Sequence, residues 1–106
     1  MSNEVIVYKS RDNVVRVQLG EDVSDDVITS EIRSEQSHGA TLIATWTVSF
    51  ESDGSDGKLL LTLDAFTTSQ ITAKVGFMDL KKVSGGLELP VFDKPLEVVF
   101  RDTVTT

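Results

Sequence analysis

Between Thr41 and Phe50 apolar and polar residues alternate along the chain. Leu42, Ala44, Trp46, Val48 and Phe50 fall on one parity, Thr41, Thr45, Thr47 and Ser49 on the other, and only Ile43 breaks the polar set. A period of two is what a half-buried β-strand requires, because successive side chains leave opposite faces of a sheet. The stretch ESDGSDGK, residues 51–58, is a hydrophilic connection carrying glycine, and the alternation then resumes with Leu59, Leu61 and Leu63. The pattern predicts one strand over 41–50, a turn and a second strand: a long β-hairpin.

The rest of the chain has the same rhythm. Val5 to Tyr8 is a short apolar run, read as an edge strand or an arm within residues 1–10, and Ser10-Arg11-Asp12-Asn13 is a turn. Val15, Val17 and Leu19 alternate with Val14, Arg16 and Gln18; after the acidic loop GEDVSDD, Ile28, Ser30 and Ile32 share one face and Thr29, Glu31 and Arg33 the other. Beyond Leu63, Thr67 or Thr68 is the expected cap of a single helical turn near 67–71, with Gln70 closing a capping box and Ile71 under the sheet edge. Such a turn suits a corner where the chain passes from one sheet to another. Residues 72–82 read as a strand with Met78 and Leu80 inward and Lys74 and Lys82 outward, and Val83-Ser84-Gly85-Gly86 as a hairpin turn. Leu87, Leu89 and Val91, then Leu96, Val98 and Phe100, supply the last two strands. About seven to eight strands with no amphipathic helix between them predict an all-β sandwich, a single domain over 1–106.

Composition narrows the function classes. Of 106 residues 40% are hydrophobic, enough for an ordinary core. The formal charge of −7 argues against nucleic acid, whose binding rests on Lys and Arg neutralising phosphates. No cysteine is present, so neither a disulfide framework nor a thiolate zinc site is available. The start, MSNEVIVYKS, has neither the basic residues nor the apolar length of a signal peptide, and no run approaches the roughly 18 apolar residues of a membrane span. Neither nucleic acid nor membrane is an expected partner.

Candidate chemistry is sparse, and no enzyme signature emerges. Glu21, Asp22, Asp25 and Asp26 in one loop, and Asp53 and Asp56 in another, are the metal candidates, because calcium takes six to eight oxygen ligands from such loops. The competing reading is that Asp and Gly are there to make turns. His38 is the single histidine and reads as a surface-loop residue; no serine stands in a G-x-S-x-G context, and Gly85-Gly86 lacks the Lys-Ser/Thr of a phosphate loop. Trp46 reads as core from its alternation, against the alternative of a sugar-stacking platform. No catalytic residue, metal or cofactor is assigned, and a carbohydrate-binding module with calcium-holding acidic loops is the alternative to a protein-contact role.

The segments ATLIATWTVSF, GKLLLTLDAFTTSQI, GFMDLKKVSGG and PLEVVFRDTVTT, in this order from Val14 onward, carry a resemblance. They are similar to small bacteriophage virion proteins and resemble the immunoglobulin-like N-terminal domain of phage baseplate upper proteins. Gly76-Phe77-Met78-Asp79-Leu80 matches the place where such proteins pack an apolar residue before Asp-Leu, and Val104-Thr105 their terminal valine-threonine pair. The resemblance implies an antiparallel immunoglobulin-like sandwich serving as a non-enzymatic structural part of a virion, made in the host cytoplasm. It would stand in the head-tail region, tail, baseplate or capsid decoration, in contact with itself or other virion proteins. The interface candidates are Val5, Ile6, Val7 and Tyr8, as an arm or as a strand of the chain's own sandwich, and more weakly the tail 101–106 with Val104.

Overall fold

A computed structural model describes residues 4–35, 39–91 and 95–102. The alternating segments become nine strands and one short helix among the described residues: β1 (Glu4–Tyr8), β2 (Asn13–Gln18), β3 (Val27–Arg33), β4 (Leu42–Thr45), β5 (Thr47–Phe50), β6 (Lys58–Leu63), α1 (Ala65–Ser69), β7 (Val75–Ser84), β8 (Leu87–Pro90) and β9 (Leu96–Arg101). The protein is all-β, as expected. The larger sheet has the order β1-β9-β7-β3-β4, and the smaller one the order β2-β6-β5. The ten-residue β7 serves two neighbours on one side: Val75–Met78 pairs with β9, and Lys81–Ser84 pairs with β8.

The two sheets close on one apolar layer, as sandwich sheets do. Ile28, Ile32, Met78, Leu80, Val98, Phe100 and Val7 face it from the larger sheet; Leu59, Leu61 and Leu63 face it from the smaller one. The inward assignment of Met78 and Leu80 agrees with the structure, and the face expected to be shared by Ile28, Ser30 and Ile32 is the buried one. Lys74 is exposed, whereas Lys82 is largely covered and ion-paired to Glu21. No helix among the described residues is long and apolar enough to cross a membrane.

Besides the covered Lys82 and a strand count of nine among the described residues where seven or eight were expected, three details differ from the expectation. First, residues 41–50 are two strands in two sheets. β4 pairs with β3 in the larger sheet, β5 pairs with β6 in the smaller one, and Trp46 stands between them, its backbone N–H donating to Ser30 O at 3.0 Å. The hairpin therefore starts only at Thr47. Between Ile32/Ala44 and Arg33/Leu42 the register shifts, leaving Ile43 as the extra residue of a β-bulge. The bulge re-aims its neighbours: Ile43 packs against the core and Leu42 is 46% exposed, the reverse of the simple alternation.

Second, β1 lies parallel to β9, with Val5 beside Val98 and Val7 beside Phe100, so the sandwich is not antiparallel throughout. β1 leaves for the other sheet through the 9–12 turn, so no hairpin fixes its direction. Third, the helical turn starts earlier than expected. Asp64, not Thr67 or Thr68, is the cap: its Oδ1 accepts from the Thr67 N–H at 2.7 Å, while Gln70 closes the C-terminal end. Thr68 is buried, and its hydroxyl donates to Arg11 O at 3.0 Å and accepts from Arg11 N–H at 3.2 Å. This ties α1 to the turn between β1 and β2.

Candidate functional site

The strand β1 is the first candidate, and its residues answer one of the two readings given to it. Glu4 to Tyr8 is a strand of the chain's own larger sheet, so it is not a detached arm. Val7 is fully buried and Val5 is packed against the core, so both face inward; Ile6 and the 45%-exposed Tyr8 face outward. The other side of β1 has no strand beside it among the described residues. Val104, the other interface candidate, and His38 lie outside the described residues.

One end of that free edge is closed by a side chain. Asn13, only 8% exposed, accepts at Oδ1 from the Tyr8 N–H and donates from Nδ2 to Tyr8 O, both at 2.9 Å. The same Nδ2 donates to Arg11 O at 2.9 Å. The amide stands in for a neighbouring strand at Tyr8 and holds the turn 9–12 in place, satisfying main-chain groups that burial would otherwise leave costly. Sequence reasoning placed Asn13 in a turn and missed this role; the signal was an amide at the first inward position of β2, where the parity calls for an apolar residue.

The two acidic loops are the second candidate, and the fold brings them to one end of the sandwich. Val23 N–H donates to Gly54 O at 2.9 Å and Leu19 N–H to Gly57 O at 2.8 Å, which docks residues 51–57 on residues 19–26 over the fully buried Val23. Three of the carboxylates are occupied with their own turns. Asp22 Oδ1 accepts from the Ser24 hydroxyl at 2.7 Å and the Ser24 N–H at 2.9 Å; Asp53 does the same with Ser55, at 2.6 and 2.9 Å. Asp56 accepts from the Lys58 N–H at 3.0 Å.

These bonds favour the ionised forms. The Ser24 hydroxyl, then its amide, hold the Asp22 carboxyl below the ordinary value, against opposing pushes from desolvation and then from Asp53. The Ser55 hydroxyl and amide lower Asp53 likewise. Across the loop Glu21 Oε1 lies 2.6 Å from Lys82 Nζ, and this bond raises the lysine. Asp25 is exposed, and Asp26 bonds through its backbone N–H to Val23 O at 3.0 Å.

No group of three or more His, Cys, Asp or Glu among the described residues is arranged to hold a metal ion. The turn reading has side-chain hydrogen bonds behind it at Asp22, Asp53 and Asp56; Asp25 and Asp26 make no such bond through their carboxylates among the described residues. Millimolar calcium, or a chelator, is accordingly expected to leave the melting temperature unchanged, since a ligand bound only to the native state raises it. A calcium-dependent rise in a thermal melt contradicts the turn reading.

Trp46 is 3% exposed, a core residue and not a platform for a sugar. The outer face of the larger sheet is hollowed into an open concavity of about 550 Å³. Four of the charged residues that line it are engaged in pairs, Glu31 with Arg33 at 3.0 Å and Lys81 with Glu88 at 3.3 Å, and Glu35 and Asp79 line it as well. Gly85-Gly86 forms the β7–β8 turn. No protein-family model matches the sequence, and no curated protein matches it.

Proposed function

We propose that this protein is a non-enzymatic assembly module, a structural component of a phage particle that works through protein–protein contact. The observation that carries the contact role is the free side of β1, an uncharged strand segment from Val5 to Tyr8 whose neighbouring position is unfilled among the described residues. Open edges of this kind are templates for another chain, and folded proteins ordinarily guard them. The assignment to a virion rests on the resemblance of the segments 40–50, 57–71, 76–86 and 95–106 to phage virion and baseplate proteins. Both the sandwich and the acidic loops committed to their own turns are in keeping with a part that binds by surface and edge.

The test is an inventory of purified particles of the encoding phage by mass spectrometry, with cross-linking to identify what the chain touches. The protein is expected in stoichiometric amounts, cross-linked to itself or to another virion component. Its absence from particles carrying all other structural proteins overturns the proposal.

A further inference from the structure

The strand edges differ in how they are guarded. β8 is four residues long and ends in Pro90; β4 is four residues long and bulged at Ile43. β2 presents Arg16, ion-paired to Glu51 at 3.3 Å, in the middle of its exposed face. These are recognised ways of blunting an edge. β1 has none of them between Val5 and Ile6; among the described residues Asn13 guards it at Tyr8.

Main-chain groups of successive strand residues point to opposite sides. The Lys9 N–H donates to Arg101 O at 2.8 Å, toward β9, whereas the N–H and C=O of Tyr8 face away from β9 toward Asn13. Alternation then directs the main-chain groups of Ile6 and Glu4 away from β9 as well, with no strand to receive them among the described residues.

On the assembly reading given above, we infer that the occupant of this edge is a second copy of the same chain, whose β1 lies antiparallel with the two Ile6 residues facing each other across a twofold axis. Residues directly opposite share a sheet face, so this register keeps the inward and outward faces of both copies continuous. Inward, Val98 and Val5 of one copy continue into the partner's Val7 and the partner's Phe100. Outward, the middle row is apolar: Val99 and Ile6, then the partner's Ile6 and the partner's Val99.

Charge selects a copy as the occupant. Glu4 and Glu97 are register neighbours, two carboxylates at one end of the β1–β9 ribbon, while Tyr8 and Arg101 are neighbours at the other end. An antiparallel copy sets Glu4 opposite the partner's Tyr8 with the partner's Arg101 just beyond, and does so twice by symmetry. Like charges within a chain become opposite charges across the axis. Because Asn13 retains Tyr8, the main-chain bonds that form without displacing anything are the reciprocal pair between the two Ile6 residues. The contact is short, weak for an isolated pair of molecules and strengthened where many copies are held together.

The test is analytical ultracentrifugation of the full chain up to millimolar concentration, with the variants Ile6→Pro, Ile6→Lys and Arg101→Glu. The Ile6 N–H faces away from β9, so proline there removes an outward donor and leaves the chain's own ladder intact; an unchanged melting temperature confirms that each variant is folded. The wild type is expected to show concentration-dependent dimers. Either Ile6 variant is expected to weaken association at least about tenfold, the equivalent of ~1.4 kcal/mol. Arg101→Glu weakens it as well, and Glu4→Arg combined with Arg101→Glu restores it. Wild type that stays monomeric, or association indifferent to Ile6→Pro and Ile6→Lys, overturns the homotypic edge. Arg101→Glu without effect overturns this register. A chain that is monomeric in solution yet cross-linked to a different protein in particles refutes the dimer and leaves the assembly reading standing; absence from particles refutes that reading whatever the ultracentrifuge shows.

Discussion

Trp46→Ala is expected to remove about 3–5 kcal/mol of stability, the usual cost of deleting a large aromatic from a core. Against a total of roughly 5–15 kcal/mol for a domain of this size, that is a large share. Trp46 is 3% exposed at the point where the chain leaves the larger sheet, between β4 and β5. The indole therefore fills the space at a corner that both sheets share, and the backbone N–H of the same residue is bonded to Ser30 O. Neighbours on two layers cannot collapse into the vacated volume together without moving one sheet against the other. A fall in melting temperature on the order of 20 °C follows from the usual few degrees per kcal/mol. Trp46→Phe separates ring packing from polarity. The indole Nε1 is buried and has no hydrogen-bond partner among the described residues, so phenylalanine retains apolar area and removes an unsatisfied donor. It is expected to cost clearly less than alanine. Urea unfolding at constant m-value measures both; an alanine variant with a wild-type midpoint contradicts the corner role.

How far the sequence carried the fold depends on what kind of information each element holds. Inward and outward faces were legible wherever one residue in two is apolar, as at Ile28-Ser30-Ile32, Leu59-Leu61-Leu63 and Met78-Leu80, because burial acts locally on each side chain. Choice of partner strand is not local. The parity of Ala44, Trp46, Val48 and Phe50 runs unbroken through the change of sheet, since the inner face of one sheet turns directly into the inner face of the other. Nothing in a two-residue rhythm marks the place where the hydrogen-bonding neighbour changes. Ile43 was the visible irregularity, and it is the bulged residue at that corner's entrance. The parallel β1–β9 pair joins the two ends of the chain and leaves no trace in either strand.

The candidate site was legible to a smaller degree. Val5 to Tyr8 stood out as an apolar run, but whether it pairs at home or elsewhere depends on β9, some ninety residues on. The acidic loops stood out by composition, yet their roles depend on which serine each aspartate meets two residues later, Ser24 for Asp22 and Ser55 for Asp53. The roles of Asn13, read as a turn residue, and of Thr68, read as a possible cap, were missed because a polar side chain that replaces a missing strand or clamps a helix to a turn resembles, in sequence, any other turn or cap residue.

Gly57→Val is expected to separate the two acidic loops and destabilise the protein by on the order of 4 kcal/mol, from the sum of a left-handed valine, two lost hydrogen bonds and partial exposure of a buried Val. Gly57 sits at φ +73°, where a β-branched residue is strained whatever space it has. There is no such space: a Cβ at this position would lie 2.5 Å from Glu21 O and 2.9 Å from Glu21 N, both main-chain atoms. The backbone of residues 19–26 must retreat, which breaks the bonds from Leu19 to Gly57 O and from Val23 to Gly54 O and uncovers Val23. Gly85 is the control. It also has positive φ, +57°, but nothing lies within 4 Å of an added Cβ, so Gly85→Ala is expected to cost only about 1 kcal/mol. Hydrogen exchange distinguishes a local from a global effect: in Gly57→Val the amides of Leu19 and Val23 lose protection first, ahead of the β3–β7 ladder. Equal melting temperatures for Gly57→Val and Gly85→Ala are incompatible with a docked loop pair, because only close packing of Gly57 against the Glu21 backbone makes the two glycines different.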